Sequence, residues 1–378
     1  MFTKKIIKEF KKLKMFNLEV PINPLSFGQM GWGVVRELYK RKLQPNIFPI
    51  GKVDLSAFEK DTNFEYWLAN CRKNAAKKYK QDSSSISLWH INGSHKRLTN
   101  RSCLWTAYEA SKPTETELNI CEKFDKVFFT SKYACDNFTS AGLKNADICP
   151  NFFDSVHLKN LNTEYEEKDK PIVFGLIGKL EKRKNIQQIL VSWANMFGNK
   201  KGYQLICCIS NPFIDPNAQI EKINHFFNGQ KPWNIEFLNF TQKNSEFNKI
   251  IDRIDIDLSG LSGAEGWGLP CFNSICLGKV SVVLNAHAHK DFANSENCIL
   301  VEPNDTIDIH DGMFFNKGDE FNQGDMFTLS ESAVGESYQK SLDFFKTCSK
   351  VDRQQRGISL QSKFSVSNTV EKLLEWVG

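Results

Sequence analysis

The sequence predicts an α/β protein built from two doubly wound parallel-sheet domains that face each other across a cleft. Short apolar runs alternate with helical patterns along the chain, as parallel strands joined by crossover helices require. At 378 residues the chain exceeds the usual span of one hydrophobic core. A polar, charged stretch, Leu161–Lys170, interrupts the alternation, which restarts sharply at Pro171-Ile-Val-Phe-Gly175.

In chain order, the apolar runs Ile86–Ile91, Cys103–Ala107 and Lys126–Thr130 read as strands of the first half. Ile172–Ile177, Tyr203–Ile209, Asn234–Leu238, Asp255–Ser259 and Val280–Leu284 read as strands of the second. Helical periodicity marks Met30–Arg41, Lys132–Ala141, Asn185–Met196, Ser245–Asp252 and Asn368–Val377. The expected domains are residues 1–168 and 169–360, with a C-terminal helix in 361–378 packing back toward the first. Asp305–Leu329, rich in Gly, Asp and Asn, reads as irregular.

Composition is that of a globular protein, 41% hydrophobic and 25% charged. No window approaches the roughly 18 continuous apolar residues of a membrane span. The N-terminus has no apolar signal core, so a cytoplasmic location is expected rather than secretion. Eleven cysteines form an odd set with no Cys-x-x-Cys pair, which fits buried thiols in a reducing compartment better than a disulfide frame or a zinc site. The net charge of +5 is carried entirely by residues 1–14. Phe2, Ile6, Phe10 and Leu13 fall at helical spacing there. Such a basic amphipathic stretch suits peripheral contact with the cytoplasmic face of a membrane or with nucleic acid; a solvated helix packing its apolar face on the body explains it equally well.

Two turns carry the chemistry. In Ser262-Gly-Ala-Glu265-Gly-Trp-Gly268-Leu-Pro270 a strand enters a Gly-rich turn and a helix begins. Pro is tolerated in a first helical turn, glycines let backbone approach a ligand closely, and free N–H groups at the helix start favour an anion. Glu265 beside them suits hydroxyls or developing positive charge. In Gly175-Leu-Ile-Gly178-Lys179-Leu-Glu-Lys-Arg-Lys184-Asn185 a strand ends in a turn crowded with cations, and Lys179 and Lys184 are suited to neutralising a diphosphate. Alone, the first is an ordinary βα turn and the second a solvated basic one. Their order and placement favour a site.

Gly178-Lys179-Leu…Lys184-Asn185 resembles the Gly-Arg/Lys-Leu…Lys-Gly signature of family-4 retaining glycosyltransferases of the GT-B fold, two Rossmann-like domains. Glu265-Gly-Trp-Gly-Leu-Pro…Leu277-Gly278-Lys-Val-Ser-Val-Val resembles their Glu-Gly-Phe-Gly-Leu-Pro block, and Glu296-Asn297-Cys-Ile-Leu-Val-Glu-Pro303 their Glu-Asn-Gly-Leu-Leu-Val-x-Pro. Thr130-Ser131-Lys-Tyr-Ala…Phe138…Ala141-Gly142 is similar to a segment of their first domain. The resemblance runs in consistent order over roughly residues 20–378, and is more specific in the second domain than in the first.

The resemblance implies a nucleoside-diphosphate sugar, UDP- or GDP-linked, bound by the second domain, and an acceptor bound by the first. Lys179 and Lys184 would clamp the diphosphate and Glu265 would contact the transferred sugar. Gly178, Gly266, Trp267, Gly268 and Leu269 would line the donor. Where the family has a second acid to hold the ribose, this chain has Asn273, whose amide offers one acceptor oxygen. Gly28, in Asn23-Pro-Leu-Ser26-Phe-Gly28-Gln-Met-Gly31-Trp-Gly33, falls at the family's first-domain loop facing the donor phosphate; a plain βα turn is the other reading. His90 and Glu109 fall at strand ends. The family often carries a His at the second of these positions, and His90 is the nearest substitute. Asp255-Ile-Asp257 invites a metal reading, rejected because the pair sits in an alternating strand; GT-B enzymes generally need no metal, so no metal and no cofactor beyond the donor are expected.

The expected function is metal-independent hexosyl transfer to an acceptor hydroxyl with retention of configuration. The acceptor is a glycan or lipid-linked sugar; a hydroxymethylated base of DNA is the alternative. A nucleotide-sugar epimerase and an inactive sugar-nucleotide-binding module are alternatives of another class.

Overall fold

The computed structural model describes residues 15–160 and 170–378. The basic amphipathic stretch 1–14 and nearly all of the polar stretch 161–170 lie outside the described residues. The chain forms two compact units. One holds the described residues up to Tyr108, Glu115–Phe152 and Phe364–Gly378; the other holds Glu109–Thr114 and the described part of Phe153–Lys363. Residues just beyond Phe152 are tied into the second unit, where Asn248 Oδ1 accepts from Lys159 N–H at 3.1 Å and Asn248 Nδ2 donates to Lys159 O at 3.0 Å.

In the first unit β1 (Asn17–Val20), β2 (Asn46–Pro49), β3 (Ser84–Leu88), β4 (Arg101–Thr106), β5 (Lys126–Phe129) and β6 (Ala146–Ile148) form a parallel sheet in the order β2-β1-β3-β4-β5-β6. In the second, β7 (Ile172–Ile177), β8 (Tyr203–Cys208), β9 (Ile235–Phe237), β10 (Ile256–Gly260), β11 (Val280–Leu284) and β12 (Ile299–Val301) form another, in the order β12-β11-β10-β7-β8-β9. Strands buried on both faces need near-continuous apolar runs, as in the Ile-Val-Phe-Gly-Leu-Ile of β7. Each unit has its own core, Leu18, Val20, Val35 and Leu88 in the first and Phe174, Leu190, Trp193 and Leu258 in the second.

β7 and β11 coincide with their expected bounds. The strands expected from Ile86 and Cys103 start two residues earlier, and they end at Leu88 and Thr106. Asp305–Leu329 is mostly irregular, but β13 (Thr306–Asp308) and β14 (Asp325–Phe327) pair antiparallel within it, a correction to its expected character.

Both sheets reverse direction once. The chain winds outward from β7 through β8 to β9, then returns to place β10 on the other side of β7. Ligands of open α/β sheets bind beyond the carboxyl ends of strands at such a switch point. The residues that follow β7 and β10 are the two turns singled out in the sequence.

The helix Val366–Val377 closes the first unit. It buries Val370, Leu373, Leu374 and Val377, one helical face, in that unit's core. Arg101 donates to the carbonyls of Trp376 and Val377 at its end, at 2.6 and 3.3 Å.

Candidate functional site

The two switch-point turns are stitched together by backbone. Gly263 N–H donates to Arg183 O at 2.7 Å, and Ser262 Oγ donates to the same carbonyl at 3.1 Å. Asn185 takes the left-handed conformation (φ 54°), which Asn tolerates better than most residues, and its amide reaches Leu261 O at 2.9 Å. Beneath the turns, Ser259 Oγ accepts from Ile177 N–H at 2.8 Å and donates to Asp257 Oδ1 at 2.6 Å, bracing β7 against β10. Burial pushes the Asp257 carboxyl up to about 6, against its hydrogen bonds from Ser259. The partner of the rejected metal pair, Asp255, accepts from Val173 N–H at 2.9 Å. Among the described residues no group of three or more His, Cys, Asp or Glu side chains is placed to hold a metal ion.

On this base sits a chain of alternating charges. Lys179 Nζ lies 3.0 Å from Glu181 Oε1, and Glu181 Oε2 lies 2.9 Å from Arg183 Nε. Arg183 Nη1 lies 3.2 Å from Glu265 Oε2, and Lys184 Nζ closes on Glu265 Oε1. Glu265 therefore meets two cations, one at each oxygen. Burial pushes its carboxyl up, but Lys184 and Arg183 outweigh burial and hold it well below the usual carboxylate range. Glu181 shows the same balance, burial opposed by Arg183 and Lys179, and is also held low. Arg183 is fully enclosed; burial works against its charge, and Glu181 and Glu265 restore it and push it up. Buried ions need this mutual pairing to remain charged.

Two histidines back the Glu265 turn. After β11 the chain enters a short 3₁₀ segment, His287–Asp291. The ring centroids of His287 and His289 are 4.3 Å apart. His287 Nε2 lies 2.9 Å from Ser262 O and His289 Nδ1 3.3 Å from Leu284 O. An imidazole facing a carbonyl donates to it, so each ring keeps its hydrogen on that nitrogen. Burial drives both rings toward the neutral form, His289 to about 4, despite the nearby Glu265 charge. His289 Nε2 is buried without a hydrogen-bond partner among the described residues.

The structure brings Gly178, Lys184, Glu265, Gly268 and Leu269 into one site. Gly178 lies under the Lys184 stem, 3.7 Å from its Cδ to where a β-carbon would stand. Lys179 is one ion pair removed, facing Glu181, with its ammonium over the rings of Phe213 and Phe314 at 5.5 and 5.2 Å. Gly266 lies in the buried turn. The Trp267 indole packs against Phe272 and Phe292, at 5.3 and 5.2 Å, so its side chain serves the core. Asn273 lies in the helix Leu269–Cys276, half-buried, and its Oδ1 is buried without a hydrogen-bond partner among the described residues.

Gly28, His90 and Glu109 are placed differently from expectation. Gly28 is not in a loop but in the first turn of the helix Ser26–Lys40, where a β-carbon would lie 2.3 Å from Asn23 O. That glycine answers a packing demand. His90 stands two residues past β3, exposed, before a short 3₁₀ turn, with its ring 4.2 Å from that of Phe27. Glu109 stands three residues past β4, belongs to the second unit, and raises the Arg183 pKa by its charge.

Sequence reasoning missed Arg183, Glu181, His287 and His289. Arg183 sits inside Lys182-Arg183-Lys184, a run that reads as solvated basic surface, and only the fold turns the middle residue inward. The spacing of His287 and His289 on either side of Ala288, directly after an apolar strand, was the available signal for the pair.

No family model and no curated protein matches the sequence. Solved structures do match in fold. Anabaena HepE, solved in complex with UDP-glucose, aligns with a TM-score of 0.66 at 13% identity, covering 96% of this chain and 99% of its own. Sucrose-phosphate synthase from Thermosynechococcus elongatus aligns with a TM-score of 0.64 at 12% identity, covering 95% and 97%. TarM of S. aureus aligns with a TM-score of 0.53 at 14% identity over 82% of this chain, which spans 58% of TarM's length. The fold is therefore GT-B, two Rossmann-like domains in one chain.

Proposed function

We propose that the chain is a glycosyltransferase that moves a hexosyl group from a nucleoside-diphosphate sugar to an acceptor hydroxyl, with retention and without a metal. The observation that carries the reading is the meeting of the β7 and β10 turns at the switch point, where Lys184 and Glu265 face each other at the start of the helix Leu269–Cys276. An anion arriving there finds a cation and a helix N-terminus. A carboxylate stands beside it for the sugar. HepE, with the same fold, is solved with UDP-glucose, which supports UDP as the carrier. The orphaned Oδ1 of Asn273 supports a ribose hydroxyl as its partner, since a buried acceptor without a donor is costly.

In this reading the transition state is oxocarbenium-like, as in glycoside hydrolysis, and the burden falls on the leaving diphosphate. Lys184 and the backbone N–H groups after Gly268 stabilise its growing charge. Lys179 supports it from the rim, and Glu265 holds the transferred sugar. Asn273 anchors the nucleoside. His90 and Glu109 remain catalytic candidates and Gly28 a donor-side candidate of this reading, and a glycan or lipid-linked sugar remains the proposed acceptor, met in the cytoplasm or at a membrane surface. No helix among the described residues is long and apolar enough to cross a membrane.

The test is direct. Lys184→Ala and Glu265→Ala should each lower sugar release from UDP-glucose, or from whichever donor a thermal-shift screen selects, by on the order of 10²–10³. Near-normal turnover in both overturns the assignment.

A further inference from the structure

Glu265 has two cationic partners of different mobility. Arg183 is held on several sides: its Nε by Glu181 at 2.9 Å, its Nη1 by Ala264 O at 2.7 Å and Glu265 Oε2 at 3.2 Å, and its plane near the Phe315 ring at 5.9 Å. Its carbonyl accepts from Gly263 and Ser262. Turning the guanidinium away breaks its contacts with Glu181, Ala264 O, Glu265 and Phe315 at once, while the carbonyl bonds anchor the backbone from which it projects. Among the described residues Lys184 makes a single side-chain hydrogen bond, to Glu265 Oε1, and its stem runs over Gly178, which offers no side chain to grip it. A lysine is a point charge on a flexible stem, whereas a guanidinium holds several partners in fixed geometry.

We infer that Arg183 is a positioning residue that keeps Glu265 ionised and oriented while Lys184 leaves it to bind the donor's diphosphate. This rests on the glycosyl-transfer reading above. The inference follows from what a departing lysine leaves behind. A buried carboxylate stripped of its last cation is strongly destabilised. With Arg183 in place, Glu265 retains a charged partner and Lys184 is free to exchange. Without Arg183, Lys184 becomes, among the described residues, the sole direct counter-ion of Glu265 and is latched to it, so diphosphate binds less well although Arg183 never touches it.

The test is a double-mutant cycle on the full chain, read by calorimetric titration with UDP. Arg183→Gln should weaken UDP binding by about tenfold, and Arg183→Lys by about threefold, because the ammonium keeps the charge but not the fork. In a Glu265→Gln background, where Lys184 has no carboxylate to hold it, both substitutions at 183 should have no effect on UDP affinity. A merely structural arginine would cost the same in both backgrounds. Equal losses in the two backgrounds, or no loss in either, overturn the positioning role while leaving the donor reading in place. Absence of UDP binding by the wild type and by Glu265→Gln alike overturns the donor reading and this inference with it. Should Arg183→Gln fail to fold, Arg183→Lys carries the same cycle.

Discussion

The imidazole of His289 occupies the space beside Gly268 that a side chain there would need: a β-carbon on residue 268 would lie 2.6 Å from His289 Nε2 and 2.8 Å from its Cδ2. Gly268 also has φ +90°, in the left-handed region that side-chain-bearing residues avoid. Two independent demands thus fall on one position, between Glu265 and the helix Leu269–Cys276.

Gly268→Ala should therefore destabilise the second unit on both counts. Backbone strain of this kind costs about 1–3 kcal/mol, and displacement of a buried ring adds to it. The double substitution Gly268→Ala with His289→Ala removes the ring but leaves the strain. Part of the loss specific to Gly268→Ala should disappear in the His289→Ala background. Thermal denaturation of the four proteins measures this, and equal losses with and without the ring would show that the contact does not matter.

Acid should weaken the protein through the same histidines. His289 titrates near 6.5 when unfolded and near 4 when folded, so between those values the unfolded chain binds more protons. Its contribution is complete above pH 6.5 and is lost as pH falls toward 4, and His287 acts in the same direction. Asp257 acts oppositely: its folded pKa is raised from 3.8 to about 6, so protonation within that window favours the folded state. His289→Gln should cut the loss of unfolding free energy between pH 6.5 and 4 by on the order of 2 kcal/mol. Asp257→Asn should steepen it. Urea unfolding across this range reads both, and an unchanged slope in His289→Gln would place the acid sensitivity elsewhere.

The alternation of β7 through β11 with helices was legible in the sequence because buried parallel strands admit little but apolar residues. The same physics hid other elements. The helix Lys350–Lys363 buries only Gly357 and Leu360, so its sequence lacks an apolar stripe of ordinary width. β6 (Ala146–Ile148) is three half-buried residues at a sheet edge, too short to show a period. At the site, Lys184 and Glu265 were legible from motif and spacing. Arg183 and Glu181 were not, because their burial depends on two turns far apart in sequence meeting at the switch point. The glycines of the Ser26–Lys40 helix suit a ligand loop or a plain βα turn by sequence alone, and in the structure two of them admit close protein neighbours: a β-carbon at Gly31 would lie 2.0 Å from Pro21 O, and one at Gly33 2.5 Å from the Phe152 ring. Sequence shows that a close approach is needed but not whether ligand or protein makes it.

The helix Val366–Val377 gives a last prediction, because it supplies core to the first unit from the far end of the chain. Leu374 is 2% exposed within that core, whereas Glu375 next to it is exposed. Leu374→Ala removes buried methyl groups from a close-packed site and should cost about 2–5 kcal/mol, whereas Glu375→Ala should change stability by less than about 0.5 kcal/mol. Lys184, Glu265 and Asn273 all belong to the second unit. UDP affinity of the folded Leu374→Ala protein should therefore equal that of the wild type while its melting temperature falls. If both substitutions are equally mild, the helix does not serve the core in this way; if Leu374→Ala lowers affinity in proportion to stability, the donor site depends on the first unit's core as well.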